Sequence, residues 1–391
     1  MKLLIITEKV GTSFRQGSEV FCGQLVGHLA ERHEVTLITT QSSLETVRET
    51  VVVDLPLASD PEALAFFLAE RVEVERHDLV YDLGGLAYGA AVVTALAAQV
   101  EDDLPLVNHF QAMLGPYAQK EGLPEEIERL NSADQKMLAE AAVLNIFLSH
   151  SDLEKSLASG FELSGAINCV VPAAVQEADL AAVEPDAGFL EGRTFPGGRR
   201  PFVVLTAGRF SDYAKGGDLV YRAFSYLAQE RDDVFLLAIA DSDRFAETLA
   251  GVPPEQYRIE PWLERPAFLR RLAAADAVVI PSRYESFGLI ALEAMTLKVP
   301  VIANAVGGLQ EILQHRRGGL LNECADGSYG LYLALKELVD DPALRRRLGR
   351  EGRRRARREY NFERVGSLVE ACLERARLGF SSPSRRALVY R

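Results

Sequence analysis

The amino-acid sequence predicts an α/β protein with two doubly wound parallel sheets that face each other across a cleft. Short apolar runs alternate with longer segments of helical periodicity, which is the pattern of β-α-β units whose sheets are covered on both faces. This pattern occurs twice, and a stretch rich in Gly, Pro and Arg, residues 192–201, separates the two series. At 391 residues, with 48% hydrophobic and 25% charged residues, the chain is long enough for two domains with separate cores.

The first series extends to residue 185 and begins with a short apolar strand. That strand is too short for a signal peptide, and no small-residue cleavage site follows it. The predicted strands are Lys2–Thr7, Glu34–Thr39, Leu79–Asp82, Leu106–His109, Val143–Leu148 and Asn168–Pro172, and the predicted helices include Gly17–Arg32, Pro61–Arg76 and Leu86–Gln99.

The second series begins after the linker. Its predicted strands are Phe202–Ala207, Val234–Ala240, Tyr257–Glu260, Ala277–Pro281 and Pro300–Ala303. Its predicted helices include Gly217–Gln229, Pro266–Ala275, Leu289–Leu297, Ser328–Asp340 and Pro342–Tyr360. Doubly wound sheets bind ligands beyond the carboxyl ends of their strands, so the strand-to-helix turns are where we expect the functional residues.

The net charge of −13 is unevenly divided between the two halves. Residues 1–185 contain 11 basic and 29 acidic residues, a net charge of −18, and the remainder contains 32 basic and 27 acidic residues, a net charge of +5. An acidic half disfavours nucleic acid and anionic lipid as partners, whereas a mildly basic half suits a phosphate-bearing ligand. The alternative is that both are solvated surfaces.

The four cysteines are scattered, with no CxxC pair and no Cys/His cluster at metal-ligand spacing. They indicate a reducing compartment and ordinary buried thiols. No run approaches the roughly eighteen apolar residues of a membrane-spanning helix. We therefore expect a cytoplasmic protein without a transmembrane segment.

The most specific stretch is Pro281–Met295, a predicted strand end and turn that leads into a helix. The backbone amides of Ser286, Phe287, Gly288 and Leu289 would lie at the helix N-terminus. Such a terminus attracts phosphate through its free N–H groups and the positive end of its dipole. The glycine lets an anion approach the backbone closely.

Glu285 and Glu293 flank this terminus and are eight residues apart, which in a helix leaves them about 80° apart around the axis. One carboxylate can therefore accept hydrogen bonds from a sugar and the other from a ribose. The alternative is that Glu285 is an N-cap-like acid and Glu293 a solvated helix residue.

This segment resembles the E-x7-E motif of the retaining glycosyltransferase family 4 (glycosyl transferases group 1), whose GT-B fold consists of two Rossmann-like domains. The resemblance extends over most of the chain. Further segments that resemble the family's blocks are Gly17–Glu19, Leu29–Val35, Leu205–Phe210, Lys215–Gly217 and Val299–Gly308 with Glu311 and Gly319.

The resemblance implies that Arg209 and Lys215 grip the diphosphate of a nucleotide-sugar donor. Cations beside a leaving group of growing negative charge stabilise the transition state more than the ground state. A guanidinium and an ammonium are a suitable pair for that purpose. Taken without the acidic stretch, Arg-x5-Lys is typical of a basic surface loop.

Two residues of the first half are implicated in the same way. His109 ends a predicted strand, and the resemblance implies that it contacts the transferred sugar near the reacting carbon; a lone histidine otherwise serves a structural hydrogen bond. Gly17 would give the diphosphate or the acceptor close access to the backbone, and its alternative role is a tight turn.

Three segments depart from the family pattern. Ala173–Gln176 stands where many relatives have N-G-V-D, and Asp241-Ser242-Asp243 stands where relatives often have G-x-G. The latter is formally a DxD metal signature of another glycosyltransferase fold, but we interpret it as a structural or ribose-contacting turn. Trp262 lies where relatives pass the base; it is either a stacking residue or a core residue.

The resemblance further implies an acceptor-binding domain at 1–185, a donor domain at 199–361 and a helix at about 362–378 that crosses back to the first domain. Residues 379–391, which include Ser-Ser-Pro-Ser-Arg-Arg, are expected to form a flexible tail. The resemblance also implies transfer with retention and without a metal or other cofactor, a donor phosphate oxygen taking the proton of the acceptor. The acidic first domain favours a soluble acceptor, such as a cationic aminocyclitol or a glycan.

Two alternatives share the expected architecture. One is a nucleotide-sugar epimerase with the GT-B fold, and the other is a protein that binds nucleotide sugars without turnover. NAD-dependent chemistry is disfavoured, because no G-x-G-x-x-G follows the first strand, and no Ser/His/Asp triad is evident.

Overall fold

The computed structural model describes residues 1–10, 17–42, 44–84, 87–100, 104–111, 125–324 and 327–380. The chain forms two compact units. Unit 1 comprises Met1–Ala173 and the C-terminal segment from Glu363, and unit 2 comprises Ala174–Phe362. The sequence analysis ended the first domain at residue 185, whereas residues 174–185 belong to unit 2. Each unit contains one doubly wound parallel sheet, so the predicted fold class is confirmed.

Unit 1 is built on a seven-stranded parallel sheet of order β5-β3-β1-β6-β7-β8-β9, beside a two-stranded sheet of β2 and β4. The strands are β1 (Lys2–Ile6), β2 (Lys9–Val10), β3 (Glu34–Thr39), β4 (Gln41–Ser42), β5 (Glu49–Val52), β6 (Leu79–Leu83), β7 (Leu106–His109), β8 (Leu144–Phe147) and β9 (Ile167–Val170). The helices are α1 (Gly17–Ala30), α2 (Leu55–Ala58), α3 (Pro61–Ala69), α4 (Ala87–Ala97), α5 (Glu125–Ala141) and α6 (His150–Ala158).

Apolar strands buried on both faces explain this sheet. Leu3 to Ile6 are fully buried in the central strand β1, as expected when helices cover both sides. The helices begin at typical signals. Asp60 precedes Pro61 and accepts a hydrogen bond from the Ala63 amide, and Ser149 caps α6.

Unit 2 is built on a six-stranded parallel sheet of order β12-β11-β10-β13-β14-β15. Its strands are β10 (Phe202–Gly208), β11 (Val234–Ala240), β12 (Tyr257–Glu260), β13 (Ala277–Ile280), β14 (Val301–Asn304) and β15 (Gly319–Asn322). Its helices are α7 (Glu177–Ala181), α8 (Gly217–Glu230), α9 (Arg265–Ala273), α10 (Leu289–Thr296), α11 (Gly308–Arg317), α12 (Ser328–Asp340) and α13 (Pro342–Glu359).

The stretch that the sequence analysis interpreted as a linker packs onto unit 2. Phe195 of this stretch and Phe189 just before it are buried, and their rings lie 6.1 and 5.7 Å from the ring of Phe235 in β11. The segment is therefore part of the core of unit 2, because two aromatic side chains anchor it to the sheet.

The last helix, α14 (Phe362–Phe380), returns the chain to unit 1. It buries Val365, Val369, Leu373 and Ala376 at helical spacing. Its Glu370 Oε1 lies 3.4 Å from His28 Nε2 of α1. Residues 379 and 380, assigned to the flexible tail from sequence, are the end of this helix, and 381–391 lie outside the described residues.

Two further features concern location and redox chemistry. In the described part of the chain, every helix is too short or too polar to cross a bilayer. All four cysteines are free thiols, but only Cys22 is buried, and Cys324 is exposed, so the expectation of ordinary buried thiols is wrong for that residue.

Candidate active site

The candidate site begins at two loops that follow neighbouring strands of unit 2. Strands β10 and β13 pair in parallel, so their carboxyl ends lie side by side. The loop after β10 carries Lys215 and the loop after β13 carries Glu285. Lys215 Nζ lies 3.0 Å from Glu285 Oε2, and Ser282 Oγ donates to the same oxygen at 3.3 Å. The fold thus brings together two residues, 70 positions apart, that the sequence analysis assigned to the donor.

Glycine makes this approach of the two loops possible. Gly216, directly after Lys215, has a φ of 66°, and a Cβ there would lie 2.1 Å from Pro281 O. No other residue fits without moving the backbone of one loop.

The N-terminus of α10 lies directly after Glu285. Gly288 has a φ of 107° and is the N-cap, so the alternative that Glu285 caps this helix is wrong. Within the described residues, the amide N–H groups of Phe287, Gly288 and Leu289 have no hydrogen-bond acceptor. The ring of Phe287 is buried at 6.0 Å from that of Tyr360, which fixes the backbone that presents these amides. Such a terminus is suited to an anion.

Two further glycines, Gly307 and Gly308, pack against the loop that carries Glu285. Gly307 has a φ of 50°, and a Cβ there would lie 1.7 Å from Glu285 O. The Gly308 amide donates to the same carbonyl at 3.3 Å. The segment Val299–Gly308, singled out by its resemblance to a family block, therefore packs against the loop that carries the first glutamate.

Arg209 lies in the loop after β10 and is about half exposed. Its Nη2 lies 3.9 Å from Asp212 Oδ2, an exposed contact of small energetic value, so the guanidinium is available to another anion. The next residues of the loop are held by Asp241, which accepts from the Ser211 amide at 3.1 Å and from its hydroxyl at 2.6 Å.

Asp241 thus has a structural role, one of the two roles that the sequence analysis gave the Asp241-Ser242-Asp243 turn. Among the described residues, no group of three His, Cys, Asp or Glu side chains is arranged to hold a metal ion. Trp262, in the segment after β12, is partly buried.

Glu293 is buried in α10 and pairs with Arg265 of α9, whose Nη1 donates to Oε1 at 2.6 Å. The alternative of a solvated helix residue is therefore wrong. Burial raises the pKa of this carboxyl above its usual value, and the nearby guanidinium opposes that rise. Arg265 had no recognisable signal in the sequence, since it is one of many arginines in this half of the chain.

His109 ends β7 in unit 1 and is fully buried. Its Nδ1 lies 2.6 Å from the Tyr81 hydroxyl, and the two rings are stacked. Its Nε2 has no hydrogen-bond partner within the described residues. Burial lowers the pKa of His109 to about 3, so the imidazole is neutral at physiological pH.

Gly17 is the first residue of α1, where the predicted helix Gly17–Arg32 also begins. Residues 11–16, which precede it, lie outside the described residues.

Comparisons with known proteins identify the family and the fold of this chain. Residues 196–355 match the family model described as glycosyl transferases group 1. The D-inositol 3-phosphate glycosyltransferase of Kineococcus radiotolerans is 31% identical over 93% of this chain and 91% of its own. The fold is similar to those of two solved structures, each with a TM-score of 0.74. Sucrose-phosphate synthase of Thermosynechococcus elongatus is 21% identical over 97% of this chain and 100% of its own. Anabaena HepE, solved in complex with UDP and glucose, is 17% identical over 96% and 99%. The chain therefore belongs to the group 1 glycosyl transferases, glycosyltransferase family 4, and has the GT-B fold.

Proposed function

We propose that this glycosyltransferase moves a sugar from a nucleoside-diphosphate sugar to a hydroxyl of a soluble acceptor, with retention of configuration and without a bound metal. The observation that carries the proposal is the Lys215–Glu285 pair, 3.0 Å apart and directly before the unpaired amides of α10. A cation, an acid and an anion-binding helix terminus in one pair of loops suit a diphosphate that is attached to a sugar.

The diphosphate would bind the cations of this site in place of their present carboxylate partners. As the glycosidic bond breaks, negative charge grows on the leaving phosphate oxygens, and positive charge held beside them lowers the barrier. Lys215 would exchange Glu285 for a phosphate oxygen, and Arg209, half exposed and weakly paired, would supply the second cation. The amides of Phe287, Gly288 and Leu289 would donate to the same group.

The two glutamates would bind the hydroxyl groups of the donor. Glu285, released by Lys215, would accept from the sugar. In Glu293, Oε1 is held by Arg265, which leaves Oε2 to accept from a ribose hydroxyl. The buried ion pair fits this role, because the arginine opposes the rise in the pKa of this carboxyl that burial causes and so favours the ionised acceptor.

We extend the proposal to His109 as a ligand of a substrate hydroxyl. If the Tyr81 hydroxyl donates to Nδ1, the ring hydrogen lies on Nε2, the buried atom without a partner within the described residues. With a pKa of about 3 the ring cannot serve as a cationic acid near neutral pH. It would act as a neutral hydrogen-bonding group, and Gly17 would give substrate access to the backbone.

Retention would proceed by attack on the face from which the diphosphate departs, with a donor phosphate oxygen taking the proton of the acceptor. A double displacement would need a carboxylate free to attack the anomeric carbon. Glu293 is instead held by Arg265, and Glu285, once Lys215 has moved to the phosphate, would be occupied by hydroxyl groups of the sugar. Proton NMR of the newly formed linkage tests retention, and an inverted anomer would contradict it.

The charge of unit 1 supports a neutral or cationic acceptor. The Kineococcus relative is named for D-inositol 3-phosphate, but unit 1 of this chain, residues 1–173 and 363–391, carries 17 basic and 29 acidic residues, a net charge of −12. Such a domain disfavours a phosphorylated acceptor. We expect an aminocyclitol or a neutral glycan to react faster than an inositol phosphate, by a factor that shrinks as salt is added, because salt screens the repulsion.

Thermal-shift screening against UDP-, GDP-, ADP- and dTDP-sugars is the first test, since a ligand that binds only the folded state raises the melting temperature. Incubation of the best donor with an acceptor panel should then release nucleoside diphosphate and glycosylated product, with or without EDTA. Failure of every donor to raise the melting temperature would contradict the proposal. An EDTA-sensitive reaction would refute the metal-independent part.

The same assay separates the alternatives. An epimerase would convert the donor without any acceptor. A binding protein would show a thermal shift and no product with any acceptor, and His109→Ala would have no consequence beyond donor affinity.

A further inference from the structure

Arg283 is a partly buried side chain to which the donor chemistry above assigns no role. It lies two residues before Glu285, and its side chain is only 11% exposed. Its guanidinium donates to both carboxylate oxygens of Asp218, at 2.8 and 2.7 Å, and to Tyr213 O at 2.9 Å. Its Cζ lies 3.7 Å from the centre of the Tyr213 ring, and its own amide donates to Ala214 O at 2.7 Å.

These contacts are made with residues on both sides of Lys215 in the sequence. Tyr213 and Ala214 precede the lysine, and Asp218, in the first turn of α8, follows it. The segment that carries the cation is thus fixed to the segment that carries Glu285 by one arginine at four points. Gly216 adds a close approach to Pro281.

Only an arginine can make this set of contacts. The planar fork matches the two oxygens of Asp218 while its face stacks on Tyr213, and a lysine ammonium offers neither the fork nor the plane. The flexible Lys215 side chain depends on such support, because a small displacement of a positioned cation is costly to the reaction that it assists.

We propose that Arg283 is a positioning residue for group transfer: through Tyr213, Ala214 and Asp218 it sets Lys215 where the ammonium meets the phosphate next to the sugar. The inference rests on the proposed role of Lys215 in binding the donor diphosphate. It predicts that loss of Arg283 weakens binding of that phosphate in particular, whereas a purely structural arginine would affect the stability of the unit and all ligands alike.

The test compares the affinities of UDP and UMP, which differ by that phosphate, in wild type, K215Q, R283Q, R283K and the K215Q/R283Q double variant. If UDP does not bind, the diphosphate and monophosphate of whichever of guanosine, adenosine or thymidine binds replace the pair. We expect wild type to prefer the diphosphate and K215Q to lose that preference. In R283Q and R283K, the ratio of diphosphate affinity to monophosphate affinity should fall about tenfold, while the monophosphate affinity stays nearly unchanged. In the K215Q background, R283Q should change diphosphate affinity by less than about twofold, since both act on one contact.

The matched control is R231Q. Arg231 also donates two hydrogen bonds to one carboxylate, that of Asp233, through Nε and Nη2 at 2.8 Å each, and it lies before β11 rather than after a strand end. The R231Q variant should keep the wild-type preference for the diphosphate over the monophosphate. If R283Q yields too little folded protein, D218N removes the partner of the fork and should give the same loss.

The outcomes separate the two claims. If no nucleoside diphosphate binds wild type, or K215Q binds it as wild type does, the proposed role of Lys215 fails and this inference fails with it. If K215Q loses the preference but R283Q and D218N keep it, or if R283Q and K215Q are additive, only the role of Arg283 is overturned. A lysine at 283 that behaves like wild type would also overturn it, because charge alone would then suffice.

Discussion

Lys215 Nζ and Glu285 Oε2 lie 3.0 Å apart, with side chains 25% and 20% exposed. An ion pair that is partly open to water contributes little to stability, typically below about 1 kcal/mol. The lysine can therefore leave its partner for a phosphate at small cost. The pair is suited to a change of partners, rather than to stabilising the fold.

Replacing Lys215 by methionine should lower kcat/KM by about 10²–10³-fold, because a cation beside the leaving group acts mainly in the transition state. Glu285→Gln should lower it less, since an amide still meets a sugar hydroxyl. Steady-state kinetics with the best donor measure both. Lys336→Met, which breaks a surface pair with Glu230, is the control and should leave kcat/KM unchanged. Equal losses in Lys215→Met and the control would contradict this assignment.

The buried pair of Arg265 and Glu293 predicts a stability effect. Arg265→Met leaves the carboxyl buried without its partner, and we expect it to lower the free energy of unfolding by about 3 kcal/mol. Adding Glu293→Leu should restore much of that loss, because an apolar pair needs no compensation. Urea denaturation of the single and double variants measures the difference. A double variant as unstable as Arg265→Met would show that packing, and not charge, is responsible.

His109 predicts a loss of stability in acid. The pKa is about 3 in the folded protein and near 6.5 in the unfolded chain, so between these values only the unfolded state is protonated. The stability that the neutral, buried imidazole contributes to the folded protein is therefore fully present above pH 6.5. Below that pH, the free energy of unfolding falls by about 1.4 kcal/mol per pH unit. Between pH 6.5 and 5, His109→Gln should therefore lose about 2 kcal/mol less than wild type in chemical denaturation. An imidazole that titrates near pH 6 by NMR in the folded protein would contradict the prediction.

We expect Cys169, in unit 1, to be a reactive thiol. A hydrogen bond from Cys372 lowers the pKa of Cys169 below its usual value and raises that of Cys372, whereas burial raises the pKa of Cys22 to about 12. Since the thiolate is the nucleophile, alkylation of Cys169 by iodoacetamide should rise between pH 6 and 8 while Cys22 stays unmodified. Peptide mass spectrometry measures each site. Cys372→Ala should slow the reaction of Cys169 at pH 7, and an unchanged rate would exclude the hydrogen bond as its cause.

Much of the fold follows from the sequence, because strands buried on both faces are continuous apolar runs. The strands that the sequence analysis missed include one edge strand of each main sheet, β5 and β15. In β5, Glu49, Thr50 and Val52 are exposed, so the run is not continuous. β15 begins at Gly319 and ends at Asn322, residues that are typical of turns.

The residues of the site that belong to functional motifs could be predicted from the sequence. Residues whose role depends on packing against distant partners could not. Lys215 and Glu285 stand in motifs, and the fold brings them into contact. Arg283 and Arg265 were missed, because their importance lies in Asp218 and Glu293, partners 65 and 28 positions away. Nothing in the local pattern distinguishes such an arginine from a solvated one.

The return of α14 to unit 1 has a consequence for biosynthesis. The core of unit 1 needs Val365, Val369, Leu373 and Ala376, which leave the ribosome after all of unit 2. Multidomain chains commonly fold from the N-terminus during synthesis. Here unit 2, a continuous segment, can complete its core first, and the half that is translated first is the last to finish folding.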